Sequence, residues 1–326
     1  ICNKTILSGD IGIAGDVSDN SYHVVTTYNV DSTTVLDGFC IILGNADGED
    51  EFGEGGGWYN VASDDVSSNP VIRNCFFHSN FANYGGALYN DCASIGVSSS
   101  PRIYSSQFRG NVSGFHGGAI YNNANNQTTS SPLLINCIFS GNHAQGIGGA
   151  LFNGGSEGNS SPVIINCTFN GNRSDVSGGV MYNNGSMGNS TPIVVNSIFW
   201  NNASPNGDVF QNHQSTPIVS YSLFQGFDFN SVTDGDAVND VTGNIFDDPL
   251  FLIAPLSSDA PTLVGNFHLQ VGSPAINTGD NAANSESFDI EGNLRIQGGT
   301  IDMGAYESTI PECGQYTGVI YVDISA

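Results

Sequence analysis

The sequence predicts an all-β fold, a single-stranded right-handed parallel β-helix, and three observations carry that reading. One set of landmarks recurs every 30 or 31 residues, the apolar runs between turns are only a few residues long, and none follows a helical 3.6-residue period. Chains of this kind stack one coil on the next and bury each coil's inner side chains against its neighbours.

The landmarks come in a fixed order. A proline (Pro70, Pro101, Pro132, Pro162, Pro192, Pro217) opens a short β-branched run, and a phenylalanine column follows at Phe77, Phe108, Phe139, Phe169 and Phe199. Three residues on stand Asn80, Asn111, Asn142, Asn172 and Asn202, and then the paired-glycine element: GGALYN (85–90), GGAIYN (117–122), GGALFN (148–153), GGVMYN (178–183) and the decayed GDVFQN (207–212). Three apolar segments separated by Gly, Asn, Ser and Pro imply three strands and three turns per repeat. Leucine-rich repeats would need regularly spaced leucines, and a propeller blade needs about 40 residues. Dividing the length by the period predicts about ten coils, a rod on the order of 50 Å long at roughly 4.8 Å per coil.

The landmarks divide the chain into four parts. Residues 1–65 read as an N-terminal cap and first coils, in which Ile42 to Asn45 take the place of Phe-x-x-Asn and GGGWYN (55–60) that of GGALYN. Residues 66–222 read as the regular coils, 223–308 as irregular C-terminal coils and a cap, and 309–326 as a tail strand or linker. The chain opens on Ile1 and Cys2 without an initiator Met, which fits a removed leader or an excised fragment. No run of 18 apolar residues occurs, so no segment reads as a membrane-spanning helix.

Buried asparagines in the turns should form hydrogen-bonded ladders along the axis. Asn80, Asn111, Asn142, Asn172 and Asn202 form one such column, Asn90, Asn122, Asn153, Asn183 and Asn212 a second, and Asn74, Asn136, Asn166 and Asn196 a third. Cys40, Cys75, Cys137 and Cys167 each lie five residues before an asparagine, with Ser106 and Ser197 in the same slot. They read as a column of small buried residues, with disulfides between adjacent coils as the alternative. Cys2 and Cys313 fall near opposite ends of the rod, too far apart to bridge within one straight subunit, and are candidates for a disulfide between subunits stacked end to end.

The net charge of −25 sits at the two ends: 12 acidic residues against Lys4 in 1–65, four of each sign in 66–222, and 15 acidic residues against Arg295 in 223–326. Such a distribution argues against nucleic acid and anionic membranes as partners. Its first reading is solubility and protection of open strand edges, with bridging by divalent ions as the alternative. Within the insertion NADGEDEFGEGG, the oxygens of Asn45, Asp47, Glu49 and Glu51 alternate as Ca²⁺ ligands do, although a solvated acidic turn fits the same residues; Asp234 and Asp236 form a second candidate Ca²⁺ pair.

No catalytic constellation is legible. Arg73, Arg102, Arg109 and Arg173 occupy four different repeat positions, the carboxylates Asp91, Glu157, Asp175 and Asp208 lie in different turns, and the six histidines lack metal-ligand spacing. The column Tyr89, Tyr121, Phe152, Tyr182 reads first as a packed seam, with an outward sugar-stacking stripe as the alternative. In the C-terminal part, Asp289, Glu291, Asp302 and Glu307 surround Arg295, the arrangement of a structural clamp.

The GGALYN and Phe-x-x-Asn units resemble the repeats of the polymorphic outer-membrane proteins, which are β-helical adhesins. SPAINTGDN, the Asp289 to Arg295 stretch and IDMGAYE look like the ends of bacterial secreted β-helix proteins of the choice-of-anchor Q type. The resemblance implies an extracellular or cell-surface location and a structural or adhesive rod, with glycans or a cell surface as partner; the acidic ends and the placement of Cys2 and Cys313 add the expectation that such rods self-associate end to end into a filament. A polysaccharide-binding or polysaccharide-degrading enzyme, a lyase or a hydrolase, is the alternative.

Overall fold

The computed structural model describes residues 5–206, 209–226 and 238–308. Their strands stack into a parallel solenoid. Sheet A holds eight strands from Thr5–Ser8 to Leu223–Phe224, sheet B seven from Val25–Tyr28 to Phe210–His213, and sheet C eight from Val35–Asp37 to Asn239–Thr242. A shorter sheet D of five strands, Asn45–Ala46 to Arg173–Ser174, adds a fourth strand to the three expected per coil. It was hidden because it falls between two landmarks and shrinks to the residue pairs His143–Ala144 and Arg173–Ser174 in the later coils.

A phenylalanine stack fills the core. Phe77, Phe108, Phe139, Phe169, Phe199 and Phe224 are completely buried, their ring centroids 4.7 to 4.9 Å apart and their planes within 6° of parallel. The spacing follows from in-register parallel pairing, which places each ring over its equivalent one strand away. Ile72, Ile103, Leu134, Ile164, Val194 and Val219 of sheet C and Leu88, Ile120, Leu151 and Met181 of sheet B close around it.

Next to the stack runs the column of small residues. Cys75 N donates to Ser106 Oγ at 3.1 Å, Cys137 N to Cys167 Sγ at 3.4 Å, Cys167 N to Ser197 Oγ at 3.1 Å and Ser197 N to Ser222 Oγ at 3.1 Å. Each side chain thus accepts the buried N–H of the coil before it, a task that sulfur and oxygen both perform. Cys75, Cys137 and Cys167 remain thiols. Replacing Cys167 by serine should therefore shift stability by no more than about 1 kcal/mol, measurable by urea denaturation.

Cys40 departs from the expected column. Ile41, not Ile42, pairs with Phe77, Cys40 pairs with Phe76, and Gly44 N rather than an Asn45 group meets Asn80 Oδ1. The slip of one residue places Ile41 in the core and turns Cys40 to the other face of its strand. There Cys40 is engaged in a disulfide. Cys2, Cys313 and the whole 309–326 tail lie outside the described residues.

Two of the three asparagine ladders form as expected. Asn111 Nδ2 donates to Asn142 Oδ1 (3.0 Å) and to Phe77 O (3.0 Å), Asn142 Nδ2 to Asn172 Oδ1 (2.9 Å) and Phe108 O (2.9 Å), and Asn172 Nδ2 to Asn202 Oδ1 (2.9 Å) and Phe139 O (2.9 Å). The second ladder runs from Asn60 through Asn90, Asn122, Asn153 and Asn183 to Asn212, with amide contacts of 2.8 to 3.2 Å. Asn74, Asn136, Asn166 and Asn196 share a left-handed backbone, with φ of 51 to 54°. Three of them do not bond along the axis: Asn136 Nδ2 donates to Phe288 O, Asn166 Nδ2 to Asp302 O and Asn196 Nδ2 to Asp280 O.

Those contacts show where the C-terminal part goes, and they correct both the coil count and the expected cap. After Asn239–Thr242 joins sheet C and Ile245 bridges Leu223, the chain stops adding coils and returns along the flank of the shaft as a strap. Asn201 and Asn170 hold the carbonyl of Pro255, Thr262 N donates to Gly141 O, and Arg109 Nη1 donates to Gly265 O. Phe251, Phe267, Met303, Ala305 and Tyr306 of the strap form a second core with Ile138, Ile198 and Leu223 on the outer face of sheet A. About sixty residues counted toward coils by length thus form a cover, leaving eight rungs in the longest sheets.

Candidate binding face

The turn before each glycine pair builds a column of its own. Glu54 bridges to Tyr84, Tyr84 pairs with His116, His116 bridges to Ile147 and Ile147 to Ser177. Gly55, Gly85, Gly117, Gly148 and Gly178 follow these residues at φ of 64 to 72°, a backbone region that glycine enters without strain. The column leans over the aromatic residues of sheet B, and together they form the face on which the charged and aromatic side chains of the N-terminal coils meet.

The aromatic residues of sheet B are a packed seam, the first of the two readings of the sequence. Tyr89 is 4% exposed and Phe152 6%. Ring centroids are 6.0 Å apart for Tyr59 and Tyr89, 4.8 Å for Tyr89 and Tyr121, 4.4 Å for Tyr121 and Phe152, and 5.5 Å for Phe152 and Tyr182. Successive rings occupy one another's faces, which leaves little of this column for a sugar.

An outer rim of aromatic rings is exposed instead. Phe115, 49% exposed, stacks on Tyr84 at 5.2 Å, and Tyr84 meets Tyr121 edge-on at 5.6 Å. Toward the N-terminal end Tyr22 (43% exposed) and Phe52 (49%) pack at 5.2 Å. The residue preceding a glycine pair marks Tyr84 alone among these rings; Phe115, Tyr22 and Phe52 share no repeat position that could have flagged them.

Two carboxyls lie beneath the rim. Tyr59 Oη donates to Asp91 Oδ2 at 3.3 Å, Asn123 Nδ2 donates to Asp91 Oδ1 at 3.0 Å, and the Glu54 carboxyl lies near the hydroxyls of Tyr89 and Tyr59. Tyr59 therefore lies between Glu54 and Asp91, carboxyls of successive coils. Burial, reinforced by the charge of Asp91, pushes the Glu54 carboxyl up to about 7, and burial raises Asp91 as well. Desolvation lowers His23 and His116, which border the same rings and so favour their neutral forms.

A measurable pH dependence results. Folding raises Glu54 above its ordinary 4.5, so its contribution to stability is full below about pH 4.5 and is lost as pH rises through about 7. Glu54→Gln should flatten that decline and stabilise the chain at pH 8 by about 1 to 2 kcal/mol, read from denaturant midpoints at pH 5 and pH 8.

The remaining site residues foreseen from sequence are dispersed. In the acidic insertion Asn45 Nδ2 donates to Asp47 Oδ2 at 3.1 Å, and a single 3₁₀ turn, Asp50–Gly53, follows Glu49 and contains Glu51. Among the described residues no group of three or more His, Cys, Asp or Glu side chains is arranged to hold a metal ion, and Asp234 and Asp236 lie outside them. Arg73 pairs with Asp37 at 2.9 Å and Arg173 with Asp175 at 2.8 Å, while Arg109 turns to the strap and sits over the Phe267 ring at 5.1 Å. Arg295, 1% exposed, differs from the expected clamp: it donates to the carbonyls of Asp302 and Gly304, and among the described residues no ion pair joins it to the nearby carboxylates.

Fold and repeat together define the class: a parallel β-helix repeat protein. Residues 136–154, one coil from Asn136 through Phe139, Asn142 and the 148–153 glycine element, match the Chlamydia polymorphic membrane protein repeat. No curated protein matches the chain.

Proposed function

We propose that this chain is a surface-displayed adhesive β-helix that binds glycans through its aromatic and carboxyl rim. The observation that carries the reading is the exposure of Phe115, stacked on the half-buried Tyr84, and of the Tyr22 and Phe52 pair, together with the neighbouring carboxyls of Glu54 and Asp91. Aromatic faces cover the apolar side of a sugar ring, while carboxyls and tyrosine hydroxyls take its hydroxyl groups. The polymorphic membrane protein repeat supports placement at a cell surface. On immobilised glycans, Phe115→Ala and Tyr84→Ala should each weaken retention by about tenfold while leaving the thermal midpoint nearly unchanged. Equal retention by both variants and the parent would remove the rim from the reading.

End-to-end association is a second reading, favoured by the N-terminal edge of the shaft. Thr5–Ser8, Val25–Tyr28 and Val35–Asp37 are terminal strands of their sheets, and Ile6, Tyr28 and Val35 on them are 53, 59 and 45% exposed. Parallel edges of this kind accept a further strand. Sedimentation with calcium and again with chelator tests it: multimers that dissociate on chelation support ion-bridged stacking, and monomers under both conditions dismiss it.

A further inference from the structure

The strap leaves two clefts, of about 510 and 530 Å³, and Glu291 lines both. Each is the size of a small-molecule site, roughly 300 to 1,000 Å³. One lies between the strap and sheet C, with Tyr104 and Phe288 among its walls, and the other within the strap, with His268 and Tyr306.

The loop carrying Glu291 is firmly built. Phe288 and Leu294 form an antiparallel bridge, and the 3%-exposed Asp289 accepts from Glu291 N (2.9 Å), Asn293 N (2.8 Å), Asn293 Nδ2 (3.1 Å) and Glu307 N (2.9 Å). Glu291 Oε2 meets His268 Nε2 at 2.9 Å, and His268 Nδ1 meets Asn266 Oδ1 at 2.6 Å. Asn266 Oδ1 also accepts the backbone N–H of His268, which fixes the amide orientation. Both ring nitrogens are therefore engaged, and Tyr306 packs against that ring at 4.2 Å.

We propose that this groove binds an uncharged oligosaccharide running past Glu291 from one cleft into the other. Glu291 would hold a hydroxyl group at its middle, its carboxylate accepting, while His268, both of whose ring nitrogens are already engaged, fixes that carboxylate in place. Phe288, 54% exposed, and Tyr104 supply apolar ring surface in the first cleft, and the exposed Leu252 and Val271 supply aliphatic surface in the second. Charge selects against acidic sugars: Arg73 is already paired with Asp37 and His268 with Glu291, while Glu286 adds a further carboxylate. The groove is made of the strap and sheets it covers, so this site stands independently of the rim.

Calorimetric titration of the whole chain with hexasaccharides of β-glucan, mannan, xylan and maltose type, and with hexagalacturonate, tests it. At least one uncharged hexasaccharide should bind and hexagalacturonate should not. Glu291→Gln and Phe288→Ala, each at an exposed side chain in a different part of the groove, should weaken binding about tenfold, whereas Phe115→Ala on the rim should leave it unchanged. Binding by none of the uncharged chains, equal binding of hexagalacturonate, or affinity lost only in Phe115→Ala would overturn the proposal. That last outcome would leave the rim as the glycan site, whereas loss confined to the groove variants would count against the rim.

Discussion

Asn142→Ala should destabilise the shaft by about 4 kcal/mol or more, the largest effect expected of a single uncharged side chain here. Asn142 is completely buried and serves three coils at once. Its Oδ1 accepts from Asn111 N (3.1 Å) and Asn111 Nδ2 (3.0 Å), and its Nδ2 donates to Phe108 O and Asn172 Oδ1 (both 2.9 Å). Alanine would strand Asn111 N and Phe108 O and take one contact each from Asn111 Nδ2, which keeps Phe77 O, and Asn172 Oδ1, which keeps the N–H of residue 142; each buried group left unmet costs about 1 to 3 kcal/mol, the vacated space adds to that, and a water entering it would recover part. Asn142→Asp should be no milder, since the carboxylate keeps the two acceptor contacts but cannot donate to Phe108 O or Asn172 Oδ1. Urea denaturation with parallel far-UV and tryptophan signals would measure the loss. A change below about 1 kcal/mol for alanine would mean that the ladder decorates a fold held by its phenylalanine stack alone.

Arg295→Leu should detach the strap, at a cost of about 3 to 5 kcal/mol. Arg295 lies behind the turn that docks on sheet A, where Gly304 N donates to Asn196 O at 2.7 Å and Ala305 N to Thr168 Oγ1 at 3.0 Å. Its guanidinium holds the carbonyls of Asp302 and Gly304 from within, and it is the cation nearest Glu307, Asp289 and Asp302. With leucine there, three carboxyls exposed by 3% or less lose that cation, and Glu307, already raised to about 7 chiefly by burial, should rise further. Limited proteolysis should then cut within 246–308 while the coils resist. Unchanged resistance of the strap would show that its apolar contacts with Ile138, Ile198 and Leu223 suffice.

The shaft was legible in the sequence because its physics repeats. Parallel stacking forces each coil to solve the same packing problem, so Phe139, Asn142 and the 148–153 element recur wherever the problem recurs. The strap solves its problem once. Its only advance notice was on the shaft, where Ile138, Ile198 and Leu223 put apolar side chains on the outer face of sheet A at positions filled by Gln107 and Thr168 in other coils. Outward aliphatic residues on a sheet imply a cover, but nothing in the period says which residues supply it. Cys40 misled for a related reason: at the first coil isoleucine replaces phenylalanine, and an asparagine one place too late offered a false register. The rim was missed because it brings Glu54 and Tyr59 of one coil against Asp91 of the next, three residues that stand at different repeat positions.

The strap also makes the rod mechanically unequal along its length. In the bare coils, tension along the axis falls on the hydrogen bonds between neighbouring strands, which can open one rung at a time. Where the strap crosses from Arg109 to Asn201, side-chain anchors such as Asn136, Asn166, Asn170 and Asn196 tie several rungs to one continuous peptide. A rung there cannot peel away without stretching or releasing a chain that its neighbours also hold. Under load the rod should yield first among the coils before Arg109, which lack these side-chain anchors and carry all of the rim but Phe115, so force on a bound ligand would reach the most compliant part of the molecule before the braced one.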